Sequence, residues 1–103
     1  MKLAIDIPSE KIGEFCRKWR VKEFAFFGSV LREDFRPDSD IDVLVTFEPD
    51  SNTSLFDLAD MQIELEKLFG RPVDLVSRRG VERSRNPIRK KAILDSAVVV
   101  HAA

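Results

Sequence analysis

A single cysteine, Cys16, stands in the 103 residues of this chain. No disulfide can close within it, and a lone thiol fits a reducing compartment. No apolar run approaches the roughly 20 residues a membrane-spanning helix needs. The opening MKLAIDIPSEK also lacks the apolar stretch of a secretory leader. The expectation is a cytoplasmic protein without a membrane partner. A formal net charge of −1 gives no overall pull toward nucleic acid. Repeats, low-complexity tracts and an internal boundary are absent, so residues 1–103 read as one domain with one modest core.

What is present is unevenly placed. Apolar residues at 44% and charged residues at 34% describe an ordinary globular chain. Between Arg78 and Lys91, however, stand Arg78, Arg79, Arg83, Arg85, Arg89, Lys90 and Lys91 against one acid, Glu82. Such a run is either a solvated face or a contact for phosphate, RNA or an acidic partner.

Helices and strands alternate along the chain. Ser9 can cap a first helix whose apolar residues Ile12, Phe15, Cys16 and Trp19, spaced i, i+3, i+4 and i+7, form one face. EFAFFG, residues 23–28, reads as a buried strand ending in a glycine turn. A short helix is expected from Val30 to about Asp34, and IDVLVTF, 41–47, is the strongest strand signal. Ser54 with Asp57 makes a capping box for a helix ending before Gly70. Leu58, Met61, Leu65, Leu68 and Phe69 form its core stripe, with Phe56 and Ile63 on another side as a possible interface strip. Pro72 opens the strand PVDLVS. Asn86-Pro87 starts a last helix, and AVVVHA closes the chain as a short strand. The fold class is α/β (α+β), a small mixed sheet with helices packed on it.

Two aspartates in the strongest strand carry the functional reading. Alternation puts Asp40 and Asp42 on one face and Ile41, Val43, Val45 and Phe47 on the other, which is the core face. Two like charges in one row repel unless a cation lies between them, and carboxylate oxygens favour a hard ion such as Mg²⁺. That ion is usually shared with substrate phosphates. Gly28-Ser29 can cradle those phosphates, because glycine admits close backbone approach and a helix start at Ser29 aims free N–H groups at an anion. Asp74, within PVDLVS, can face the same row if its strand neighbours 41–47. Three carboxylates could then hold two cations about 3.5–4 Å apart, and Asp74 could take a proton from an acceptor hydroxyl. The plainer alternatives are strand capping for Asp40 and Asp42, a strand-edge acid for Asp74, and an ordinary turn and helix cap for Gly28 and Ser29.

Gly28-Ser29, Asp40-Ile41-Asp42 and a later strand aspartate, Asp74, together resemble the signature of the polymerase-β-type nucleotidyltransferase superfamily. At this length the chain is similar specifically to the minimal nucleotidyltransferases, the antitoxin halves of HEPN/MNT toxin–antitoxin pairs. The resemblance implies a polymerase-β palm-like fold, ATP as nucleotide donor and Mg²⁺, two ions, at Asp40, Asp42 and Asp74. It further implies transfer of AMP to a tyrosine of a helical HEPN ribonuclease toxin, within a hetero-oligomer. By the same resemblance Gly28 and Ser29 hold the triphosphate. The family continues that turn as GS-x-A-R-G, whereas Gly28-Ser29-Val30-Leu31-Arg32-Glu33 keeps only the arginine. Arg32 is accordingly either a phosphate contact or half of a surface ion pair. Larger relatives cover the base with an added helical domain, so here a partner is expected to provide that cover. Two other readings stand beside this one: an antitoxin acting by docking alone, and a subunit that modifies a small molecule or RNA.

Overall fold

The computed structural model describes residues 9–28 and 40–102. Along these run α1 (Ser9–Trp19), β1 (Val21–Phe27), β2 (Ile41–Phe47), α2 (Leu55–Phe69), β3 (Val73–Ser77), α3 (Arg78–Glu82), α4 (Pro87–Ser96) and β4 (Val98–Ala102). The strands form one mixed sheet in the order β3-β2-β1-β4. β1 is antiparallel to both β2 and β4, and β2 is parallel to β3. A parallel pair needs a crossover, and α2 supplies it. The helix expected at 30–34 lies outside the described residues.

Local chemistry sets the helix ends. Asp57 N–H donates to Ser54 Oγ at 3.2 Å, and Ser54 N–H donates to the Asp57 carboxylate at 3.0 Å, the reciprocal capping box. Gly70 closes α2 at φ 70° and donates its N–H to the Glu66 carbonyl at 2.8 Å. Asn86 caps α4 by accepting from Arg89 N–H at 3.1 Å, with Pro87 at the first helical position. Ser9, read as the cap of α1, is instead its first residue, and β1 begins at Val21, ahead of Glu23. α3 was not expected. Ser77 Oγ accepts from Gly80 N–H at 3.0 Å and turns the head of the basic run into a short helix.

Burial divides the chain into two layers over the sheet. On one face α1 and α2 bring Ile12, Phe15, Met61 and Leu65 onto Phe24, Phe26, Val43 and Val45. Phe24 and Phe26 stack edge to face with centroids 5.5 Å apart, and each is fully buried. On the opposite face Ala25, Phe27 and Leu44 lie under Val81 of α3 and Ile93 of α4. The expectation of one core is thereby corrected. Leu44, on the aspartate side of β2, is 4% exposed because α3 and α4 cover that side. On α2, Met61 and Leu65 are buried as expected, while Phe56 and Ile63 stand 86% and 51% exposed.

Candidate active site

The site is built where β1 ends and β2 and β3 begin. Asp42 is the second residue of β2 and its register partner across the parallel pair is Asp74. Register partners in adjacent strands project to the same face, with the strands about 4.8 Å apart. The two carboxylates therefore stand side by side. Asp40 immediately precedes β2 and, one alternation ahead of Asp42, continues the row. Asp40 and Asp74 are exposed and Asp42 is half-buried.

β1 closes the other side. Phe27 pairs with Asp42, and Gly28 follows at φ 70°, a conformation that L side chains rarely adopt. A Cβ on Gly28 would collide with Asp42 Oδ2 and lie 3.2 Å from its Cγ. Glycine is required here for its backbone conformation and again for the approach of the Asp42 carboxylate. Gly28 just past the end of β1, Asp42 of β2 and Asp74 of β3 thus follow one another across the sheet, a row of roughly 10 Å. Ser29 and Arg32, expected to contact phosphate, lie outside the described residues.

The chemistry of this row suits a hard divalent cation. All its side-chain donors are carboxylate oxygens, and the missing Cβ of Gly28 lets the Asp42 carboxylate lie against the backbone there. Among the described residues no group of three or more His, Cys, Asp or Glu side chains gathers closely enough to hold a metal alone. An open row of this kind matches Mg²⁺, which keeps several waters and takes further ligands from substrate phosphates, better than it matches a closed structural site.

The basic run does not act as one surface. Arg89 and Lys90 line a cavity of about 240 Å³ with Leu58, Val76 and Ile93. Arg78 and Arg79 border a second cavity of about 330 Å³ between α3 and the 46–53 segment. There Arg78 Nε pairs with Glu82 at 3.8 Å. Charge composition alone could not separate these positions. The signal available was the Asn86-Pro87 helix start, which puts Arg89 and Ile93 four residues apart on one side of α4.

Away from the row, Cys16 is 2% exposed, and burial pushes its thiol up to about 11 despite the neighbouring Arg17. Burial also raises the Glu64 carboxyl, but hydrogen bonds from Trp19 Nε1 at 2.6 Å and Lys18 Nζ at 3.0 Å outweigh it and hold the carboxyl below its usual value. That clasp ties α1 to α2 and is remote from the aspartates. No helix among the described residues is long and apolar enough to cross a membrane.

The profile of the nucleotidyltransferase domain family matches residues 9–100. A Methanocaldococcus jannaschii protein assigned as a protein adenylyltransferase is 34% identical over 83 residues, covering 81% of this chain and 80% of the relative. A solved structure described as a minimal nucleotidyltransferase is 36% identical with a TM-score of 0.66, covering 86% of this chain and 85% of that one. A chain from the complex of a tri-AMPylated Shewanella oneidensis HEPN toxin with MNT antitoxin superposes with a TM-score of 0.62. At 18% identity, covering 91% of this chain and 69% of that one, it speaks for the fold.

Proposed function

This chain belongs to the nucleotidyltransferase domain family, and from that premise we propose that it is a Mg²⁺-dependent protein adenylyltransferase. Its donor is ATP, its acceptor a tyrosine of a HEPN ribonuclease toxin, and the modification makes it the antitoxin of the pair. It works as a single domain in the cytoplasm, bound to that helical toxin in a hetero-oligomer. The observation that carries the reading is the register of Asp42 with Asp74, with Asp40 continuing the row and Gly28 abutting Asp42. The likeness to a protein adenylyltransferase supports AMP as the transferred group.

Each residue of the row has a task. Gly28 and Ser29 hold the triphosphate at the turn that the positive φ of Gly28 makes, and Arg32 is assigned to the same phosphates. Asp40, Asp42 and Asp74 are the groups that would hold Mg²⁺, which when bound neutralises charge on the phosphates. Asp74 accepts the acceptor hydroxyl's proton. The hydroxyl oxygen bonds to the α-phosphorus, the bond to the bridging oxygen breaks, and pyrophosphate leaves with that electron pair. The products are an AMP phosphodiester on the acceptor and pyrophosphate.

Incubation with α-labelled ATP, Mg²⁺ and a HEPN protein, followed by mass spectrometry, tests this. Addition of AMP to a tyrosine is the expected result. Toxin neutralisation without an adduct would leave docking as the mechanism, and label on RNA or a small molecule would move the acceptor to that class.

A further inference from the structure

The order of the row fixes the side from which an acceptor arrives. In phosphoryl transfer the entering and leaving oxygens lie roughly in line. With the triphosphate at Gly28 on β1 and the proton acceptor at Asp74 on β3, pyrophosphate departs toward β1 and the acceptor enters over β3. Among the described residues β3 is the edge strand of the sheet on the side away from β1 and β4. Beside it opens the cavity of about 240 Å³ lined by Leu58, Val76, Val81, Ile93, Arg89 and Lys90. Val76 is two residues beyond Asp74 on the same strand and face, roughly 6.6 Å along it.

We propose that this cavity docks the polypeptide carrying the acceptor hydroxyl and selects a segment with an aliphatic side chain beside a carboxylate. The inference rests on the protein-acceptor reading above. The cavity's floor is aliphatic, supplied by Leu58, Val76, Val81 and Ile93, and its rim is cationic. Among the described residues no acid lines it, and neither Arg89 nor Lys90 has a carboxylate partner. The nearby acid Glu82 is paired with Arg78. An incoming carboxylate therefore meets two available cations at the rim, where electrostatic complementarity acts on specificity. Among the described residues no aromatic side chain lines the cavity, so none of them offers a nucleic-acid base a face to stack on. Consecutive Cα atoms are about 3.8 Å apart, so residues within two positions of a tyrosine held at Asp74 reach this cavity.

The test uses the full chain and two short synthetic peptides, identical except that Leu-Glu or Leu-Lys flanks a central tyrosine. Binding is read by fluorescence anisotropy and AMP transfer by mass spectrometry with ATP and Mg²⁺. The acidic peptide should bind about tenfold tighter, and R89E/K90E should reverse that preference while leaving ATP–Mg²⁺ affinity unchanged. R89Q/K90Q, which should abolish the preference, serves if the charge-reversed protein does not fold. Equal binding of the peptides, or a preference surviving in the variants, overturns the docking site even where either tyrosine is labelled. Selective binding without any labelling upholds the docking site and counts against adenylyl transfer. Loss of ATP affinity in R89E/K90E would put the nucleotide in the cavity and overturn the proposal. So would a single-stranded RNA oligonucleotide that binds wild type more tightly than the acidic peptide and is lost in the variant.

Discussion

Asp42 and Asp74 are register partners in the parallel pair of β2 and β3, so two carboxylates share one face with a single strand spacing between them. Like charges in adjacent positions repel, and a cation held between the two carboxylates would relieve that repulsion.

Asp42→Asn should therefore separate activity from stability. The amide keeps the shape of the side chain but removes the anionic oxygen and the repulsion with Asp74. AMP transfer should fall on the order of 100-fold or more, while unfolding free energy should stay within about 1 kcal/mol of wild type. Thermal unfolding and label incorporation measured on the same preparation decide it. A variant that transfers at the wild-type rate removes Asp42 from the site, and one that cannot fold makes it structural.

Metal and nucleotide should bind cooperatively. If the ion takes ligands from both the aspartates and the phosphates, each ligand improves the site for the other. The rise in melting temperature with ATP and Mg²⁺ together should exceed the sum of the separate rises. In Asp42→Asn the excess should vanish even if some ATP still binds. Strictly additive shifts in wild type would mean two unconnected sites. Chelation by EDTA should return the protein to the ATP-only melting temperature.

Local signals made much of this legible in the sequence. The capping box of Ser54 and Asp57 and the Asn86-Pro87 start depend on residues within one helical turn, so the chain alone determines them. Alternation through 41–47 put Asp40 and Asp42 together for the same reason. The pairing of Asp42 with Asp74 is different. It depends on how α2 and the turn at Gly70 return the chain, and a slip of one residue would have turned Asp74 to the other face. Burial of Leu44 was hidden too, because it follows from α3 and α4 crossing the aspartate face. The separate fates of Arg79 and Arg89 are likewise tertiary, set by which cavity each helix borders.

Cys16 should behave as an inert core thiol. Burial holds it protonated up to about 11, and the thiolate is the reactive species. Iodoacetamide at pH 8.5 should modify it only at the rate of unfolding, with denaturant restoring ordinary reactivity. The sign of the linkage follows from the raised value. The contribution to stability is complete below pH 9 and declines between pH 9 and about 11, by on the order of 2 kcal/mol in total. Fast alkylation of the folded protein would contradict its placement on α1. Cys16→Ala, which removes the titrating group, should flatten that part of the stability curve.

Gly28 and Gly70 offer a matched pair of substitutions, because both sit at φ 70° but in different surroundings. At Gly70 a new Cβ would meet nothing within 4 Å, so Gly70→Ala exacts only the backbone cost of a left-handed L residue. That cost is roughly 1–2 kcal/mol, several degrees in melting temperature for a domain of this size. Gly28→Ala carries the same cost and also forces the Asp42 carboxylate aside. The clash falls on the far end of the half-buried Asp42 side chain, which can turn aside, so the two melting temperatures should differ by only a few degrees. Activity should differ far more. Gly70→Ala should keep transfer near wild type at a temperature where it is folded. Gly28→Ala should lose most of it and should lose the ATP–Mg²⁺ cooperativity as well, since both the phosphate approach and the position of Asp42 change. Melting curves with and without ATP and Mg²⁺, run beside the transfer assay, give all four comparisons. Equal activity in the two variants would show that Gly28 is only a turn residue, and the phosphate cradle would have to be sought elsewhere.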